Sequence, residues 1–367
     1  MISFVNLTKQ SEEEKKDIIQ SVKSVLKKSN FILGEENIKL EKLIKKYTKS
    51  KFCALLNSGT DALTLALHVV GIKRGDEVIT VSNSFIASVA SIVHLGAKPI
   101  FVDVKDDQNM DPYKIESKIT KKTKCIMPVH LTGRVCDMSP ILKIAKKYNL
   151  KVIEDAAQAF GSKYQNKSAG TFGDIGCFSL HPLKNFNSLG DGGLILTDSK
   201  KFYERIIKLR NHGIKNRNYV DEFGYVSRFD TLMASILVKR FKKLNEIIKK
   251  RRNNAKLYRK FITTHEVFIP AETKNEFNTY HTFVVHIKKK RNQLIEHLKN
   301  KKIMTAIHYP IPIHKQKAFV NKFKEKNHLP NTVDQSNKIL SLPINQFLKI
   351  KEIKYISETI NNFFQKK

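Results

Sequence analysis

From Lys51 to Thr197 the chain repeats one alternation that few folds accommodate: a short apolar run, a turn, then a stretch with helical spacing. Phe52–Leu56 reads as a strand and residues 58–70 as a helix, opened by Ser58-Gly59-Thr60-Asp61, good first-turn residues. Gly75-Asp76 is a turn, Glu77–Val81 a strand, residues 84–95 a helix and residues 99–104 a strand. Residues 124–129 form a strand, 140–148 a helix, and 151–154 a strand ending at Asp155. Two further strands, residues 176–179 and Gly193–Thr197, flank a loop that carries Lys184. Short apolar strands separated by helices predict an α/β fold with a mostly parallel sheet covered on both faces. In such sheets ligands gather at the carboxyl ends of the strands.

Outside this region the pattern changes. Residues 11–28 and 36–47 read as amphipathic helices, and a long charged helix is expected over residues 231–252. Beyond it come a strand at residues 282–287, a helix at 292–299 and a last helix at 351–364. A chain of 367 residues exceeds one small core. The expected division is a large domain over residues 1–240, N-terminal helices included, and a smaller α+β domain over 241–367.

Three features fall just after strands: the Ser58-Gly59-Thr60 turn, Asp155, and the loop bearing Lys184. Together they are the fixed points that pyridoxal 5'-phosphate requires. A lysine forms a Schiff base with its aldehyde, and an acid keeps its pyridine nitrogen protonated so that the ring withdraws electrons. A turn opening a helix offers backbone N–H groups, hydroxyls and a favourable dipole to its phosphate.

The formal charge is +33, which raises the question of nucleic-acid binding. The lysines fall singly or in short clusters such as Lys121-Lys122 and residues 249–252, not along one helix with aromatics between them. Lys, Ile and Asn are all abundant, so the excess reads as general surface lysine. It favours anionic substrates without marking a specific nucleic-acid site. Apolar runs such as residues 86–95 are too short and interrupted for a membrane span, and the N-terminus lacks a signal-peptide core. Cys53, Cys125, Cys136 and Cys177 show neither paired nor metal-type spacing, so reduced core thiols in a cytoplasmic protein are expected, with no metal.

Several ordered segments resemble the DegT/DnrJ/EryC1/StrS family of sugar aminotransferases. They are Ile32-Leu33-Gly34, residues 57–63, Gly75-Asp76-Glu77-Val78-Ile79, Val129-His130-Leu131-Thr132-Gly133, residues 154–158, the Lys184 loop, Leu209-Arg210-Asn211-His212-Gly213 and residues 309–316. The resemblance covers nearly the whole chain. It implies an aspartate-aminotransferase-like (fold type I) large domain and a pyridoxal-phosphate enzyme. By the same resemblance Lys184 carries the cofactor, Asp155 partners the pyridine nitrogen, and Gln158 lies near the phenolic oxygen. Ser58, Gly59, Thr60 and Ser179 hold the phosphate, and Asn185 reaches it or merely shapes the turn. Phe85 stacks on the ring or is an ordinary core residue. His181 and His314 contact the sugar or are structural.

The chain departs from the family at Gly224-Tyr225-Val226-Ser227-Arg228, where Val226 replaces an asparagine that reaches the partner subunit's phosphate, and at Met233, commonly glutamine. Valine donates no side-chain hydrogen bond, and a lost bond to a charged group costs about 1.5–3 kcal/mol. The implied reaction moves an amino group from L-glutamate to a keto-sugar nucleotide in a homodimer, for amino-sugar and surface-glycan synthesis. The retained Lys184 favours transamination over sugar dehydration. Lys184-Asn185 with Gly190-Asp191-Gly192-Gly193 leans towards the 3-keto position, while His181-Pro182 points to the 4-keto position. A catalytically inactive, basic nucleic-acid-binding or regulatory relative is the alternative from another class.

Overall fold

The structure is a computed structural model that describes residues 1–365. Helices α1 (Leu7–Lys28) and α2 (Glu35–Thr48) precede the alternating region. Its strands are β1 (Phe52–Leu56), β2 (Glu77–Val81), β3 (Lys98–Val102), β4 (Thr123–Ile126), β5 (Lys151–Asp155), β6 (Ile175–Ser179) and β7 (Gly193–Thr197). They form one sheet in the order β1-β7-β6-β5-β4-β2-β3. β7 runs antiparallel to both neighbours and every other pairing is parallel. Helices α3 (Gly59–Val69), α4 (Ile86–His94), α5 (Met138–Lys147) and α6 (Lys200–Leu209) connect the strands. Every residue of β2 and β7 is buried, which explains their mostly apolar sequence, with Glu77, Thr80 and Thr197 as the buried polar exceptions.

Separate apolar clusters cover the two faces. One unites α3 and α6 with Ile153, Ile175 and Ile195; the other unites Leu40 and Ile44 of α2, Ile141 of α5 and Leu237 of the following helix with the opposite side chains of the same strands. A third cluster lies in the C-terminal part, beneath a three-stranded antiparallel sheet of β8 (Val267–Phe268), β9 (Phe283–Ile287) and β10 (Ile339–Leu342). Helices α9 (Arg291–Asn300) and α12 (Ile350–Gln365) pack there; α10 (Lys317–Phe323) and α11 (Pro330–Lys338) lie between them in sequence.

The single helix expected over residues 231–252 is two: α7 (Thr231–Phe241) and α8 (Leu244–Phe261). Lys242 N donates to Lys239 O and Lys243 N to Arg240 O, i→i+3 bonds that tighten the end of α7. Packing decides the break, since α7 rests on α1 and α2 while α8 rests on α12. Sequence periodicity reads through such a joint when no Gly or Pro marks it. All four cysteines are free and buried. Among the described residues no helix is long and apolar enough to cross a membrane.

Candidate active site

Sheet register brings the separated sequence features together. Leu56 pairs with Gly193, Gly193 with Ser179, and Cys177 with Asp155, so the carboxyl ends of β1, β6 and β5 lie in one row beside the start of β7. Ser58 is extended and caps α3, its Oγ accepting from Asp61 N at 3.0 Å. That leaves Gly59 and Thr60 as first-turn N–H donors with no acceptor inside the helix, at its positive end. Ser58 therefore shapes the turn with its hydroxyl already engaged. A Cβ on Gly59 would lie 2.7 Å from the Ser179 Cβ, and one on Gly193 would lie 2.1 Å from Ser58 O. Both glycines let three strands' ends close around a small anion cradle.

Asp155 ends β5 in the buried interior. Its backbone N donates to Pro128 O and its carbonyl accepts from His130 N, both at 2.9 Å. Oδ2 accepts from Ser88 Oγ at 2.6 Å and Oδ1 from Ala157 N at 3.2 Å. Burial raises the carboxyl pKa, while these two hydrogen bonds and the charge on Lys184 oppose the rise. Removing the Ser88 hydroxyl withdraws a bond that favours the carboxylate by about 1.5–3 kcal/mol. Ser88→Ala is expected to move the acidic limb of the kcat/KM pH profile to higher pH, because Asp155 then takes up its proton sooner. An unmoved limb would show that Ser88 does not tune Asp155.

The preceding residue, Glu154, projects to the opposite face and holds the strand end from behind. Its fully buried carboxylate accepts from Gly170 N (2.8 Å), Phe172 N (2.6 Å) and Gly173 N (2.8 Å) and meets His130 Nε2 at 2.8 Å. His130 Nδ1 accepts from Cys136 N, so Nε2 carries the proton given to Glu154. Sequence reading assigned no role to Ser88, His130 or Glu154. The adjacent acids at a strand end were the one available signal, since alternation sends them to opposite faces.

The Lys184 loop leaves β6 and returns to β7. Ser188 N donates to Leu180 O and Leu180 N to Gly192 O, both at 2.7 Å, and Lys184 N donates to His181 O at 2.8 Å. The half-buried lysine has its amine pKa pushed down to about 8 by desolvation, against the charge of Asp155. His281 and His308 stand near it and are held neutral by burial, with His308 lowered to about 4. Gln158 accepts from Thr132 N at 2.9 Å and donates to the Tyr309 hydroxyl at 3.2 Å. The Tyr309 ring lies 6.3 Å from that of Phe85, which is 56% exposed and free to cover a ligand. Tyr309 opens the 309–316 segment, and the fold brings its hydroxyl to Gln158.

The remaining predicted residues are placed less directly. Ser179 Oγ accepts from His181 N at 3.3 Å. Asn185 Nδ2 donates to Thr279 O at 3.0 Å, and its buried Oδ1 has no partner. His181 is exposed, its Nδ1 accepting from Leu183 N at 3.2 Å. His314 is buried, with Nδ1 2.7 Å from Ser82 Oγ and its backbone N donating to the same oxygen at 2.9 Å. Val226 is exposed and bridges Asn211 through its backbone. Met233 is half-buried against the core.

This arrangement fits pyridoxal phosphate: two free helix-N-terminal donors behind two obligatory glycines, a desolvated lysine amine and a buried carboxylate held by two donors. Comparison with known proteins agrees. The profile of the DegT/DnrJ/EryC1/StrS aminotransferase family matches residues 12–361. The chain is 40% identical over 365 residues to a dTDP-3-amino-3,6-dideoxy-alpha-D-galactopyranose transaminase of Aneurinibacillus thermoaerophilus, covering 99% of each chain. It is 36% identical over 368 residues to a pleiotropic regulatory protein of Geobacillus stearothermophilus, again covering 99% of each. The crystal structure of S. venezuelae DesV in complex with a ketimine intermediate superposes with a TM-score of 0.96 at 30% identity, covering 100% of this chain and 99% of that one.

Proposed function

The chain belongs to the DegT/DnrJ/EryC1/StrS aminotransferase family, with pyridoxal 5'-phosphate as cofactor, and we propose that it transfers the amino group of L-glutamate to carbon 3 of a keto-sugar nucleotide. The observation that carries this reading is the desolvated Lys184 amine set with Asp155 at the end of the sheet that bears the Gly59–Thr60 anion cradle. The cofactor, when bound, supplies the electron sink that makes a carbon–hydrogen bond next to the amino group acidic. Gly59 and Thr60 N–H groups would hold its phosphate, and Asp155 would hold its ring nitrogen protonated. Phe85 would close over the ring. Lys184 Nζ would hold the cofactor's aldehyde carbon and would serve as the base that takes the proton from the donor's α-carbon and gives it back on the same face. The same amine reverses these proton movements when the keto sugar is the partner. One group serves both halves because burial brings its pKa near neutrality.

The name of the A. thermoaerophilus relative specifies a 3-amino sugar, which supports carbon 3 over the 4-keto alternative. The relative named as a pleiotropic regulatory protein is the observation behind the other class, a regulatory relative. Against it, a lysine with no chemistry gains nothing from desolvation. An exposed apolar strip at Tyr219, Val220, Phe223 and Val226 supports self-association, and the four free thiols support a reducing compartment such as the cytoplasm. The test is incubation of the cofactor-loaded protein with L-glutamate and dTDP- or UDP-linked 3-keto and 4-keto sugars. An amino sugar whose nitrogen is on carbon 3 by NMR is expected. Nitrogen on carbon 4 would transfer the assignment, and no amino sugar from any keto sugar would leave the regulatory reading.

A further inference from the structure

The loop that carries Lys184 is fastened from outside the sheet. Asn187 Nδ2 donates to Pro182 O at 2.5 Å, pinching the loop closed on either side of the lysine. The Asn187 carbonyl accepts from Arg240 Nη1 of α7, and its side chain lies 3.1 Å from the end of the Gln10 amide of α1, which also faces Arg240 Nε and Nη2. Arg240 Nε in turn lies 2.9 Å from Glu14 Oε2 of α1, and Nη2 donates to the same oxygen. Gln10, Glu14, Asn187 and Arg240 are 6%, 7%, 4% and 3% exposed, so none of these bonds is shared with bulk water. The chain just before α1 is tied elsewhere: Ile2 N donates to Lys302 O, Met304 N to Ile2 O, and Asn345 Nδ2 to Ser3 O.

An ion pair this deeply buried is a poor way to join two helices, because desolvation of both charges offsets most of their attraction and an apolar pair does as well. What an apolar pair lacks is a donor for the Asn187 carbonyl. We propose that the buried Glu14–Arg240 pair is a positioning device for the reaction: Glu14 orients the guanidinium, and the guanidinium fixes Asn187 and with it the loop that presents the Lys184 amine. Arg240 and Glu14 touch no reacting atom and act only through that loop. The charged and titratable groups around the lysine are Asp155 from β5, His281 and His308 from the C-terminal part, and Arg251 of α8, which lines the same cleft. None of them belongs to the clamp, so a change at Glu14 and Arg240 reaches the lysine by geometry and not by direct charge.

The test uses the Glu14→Leu/Arg240→Leu double variant, which removes both charges and leaves neither orphaned. In the apo-protein, pyridoxal phosphate is trapped on Lys184 with borohydride across a pH series and counted by peptide mass. A loosened loop re-solvates the amine, so the midpoint of trapping is expected to rise by about one pH unit or more from the wild-type position. In the loaded enzyme kcat is expected to fall by about tenfold or more while KM for both substrates stays within about twofold, as for misplacement of a catalytic group. A cooperatively folded double variant with unchanged midpoint and kcat would overturn the proposal and leave the pair as a link between α1 and α7. If the double variant does not fold, Arg240→Lys decides. It keeps a cation beside Glu14 and loses the guanidinium fork that reaches the Asn187 carbonyl, and is expected to shift the midpoint and kcat in the same directions; no shift overturns the proposal.

Discussion

Lys184→Ala is expected to lower turnover by at least about 10⁴-fold, the upper end of what a positioned acid–base group contributes, because anchor and proton carrier are lost together. Cofactor is expected to remain bound non-covalently through the Gly59–Thr60 turn and Asp155, detectable by its co-elution with the variant. The same residue makes a second, opposite statement about stability. Burial holds its folded pKa near 8, below the ordinary lysine value of 10.5. Below pH 8 both folded and unfolded chains carry the proton, and the folded chain bears the full desolvation penalty. Between pH 8 and 10.5 only the unfolded chain stays protonated, so stability recovers as pH rises through that window. Discounted for its half-buried position, the penalty is about 2 kcal/mol at pH 7. Lys184→Met should therefore stabilise the cofactor-free protein in urea unfolding at pH 7, with the advantage shrinking toward pH 10. A destabilised Lys184→Met apo-protein would show that the lysine is a packing residue.

Asp155→Asn is expected to lower kcat by about 10²–10³-fold, the range for removing one preorganised electrostatic contact to a developing charge. The amide keeps the size of the carboxylate and a partner for Ser88, so folding should survive. It cannot hold a ring nitrogen protonated. Rapid-mixing kinetics of the glutamate half-reaction would show the loss in the proton-transfer step, with cofactor affinity less affected. A variant retaining wild-type rate would remove Asp155 from the chemistry and leave it as a strand-end acid.

The strands were legible because they are buried on both faces: Phe52–Leu56, Glu77–Val81 and Gly193–Thr197 stand where their apolar runs end. The joint between α7 and α8 was not, because Lys242 and Lys243 are ordinary helix residues and only the two packing partners differ. The hairpin at Ile214–Val220 went unread because its strands are short and exposed, whereas helix α6 carries a regular apolar spacing at Phe202, Tyr203, Ile206, Ile207 and Leu209 that was legible and passed over. At the site, Lys184, Asp155 and the Gly59 turn could be singled out because each has a chemical reason to follow a strand. Ser88, His130 and Tyr309 carry no such mark; they come from other elements, and only the register of the sheet and the placement of the C-terminal part bring them to Asp155 and Gln158. His314 shows the converse. Its position in a motif was readable, but its bond to Ser82, 232 residues away in sequence, was not.

The central claim is that Lys184 and its pocket carry amino groups from glutamate to a sugar nucleotide, and the absorbance spectrum of the loaded protein tests it most directly. The visible band of the lysine-bound cofactor should disappear on adding L-glutamate and return on adding the keto-sugar nucleotide, with neither change in Lys184→Ala. A band that glutamate leaves untouched, or that returns with no keto sugar present, would contradict the account.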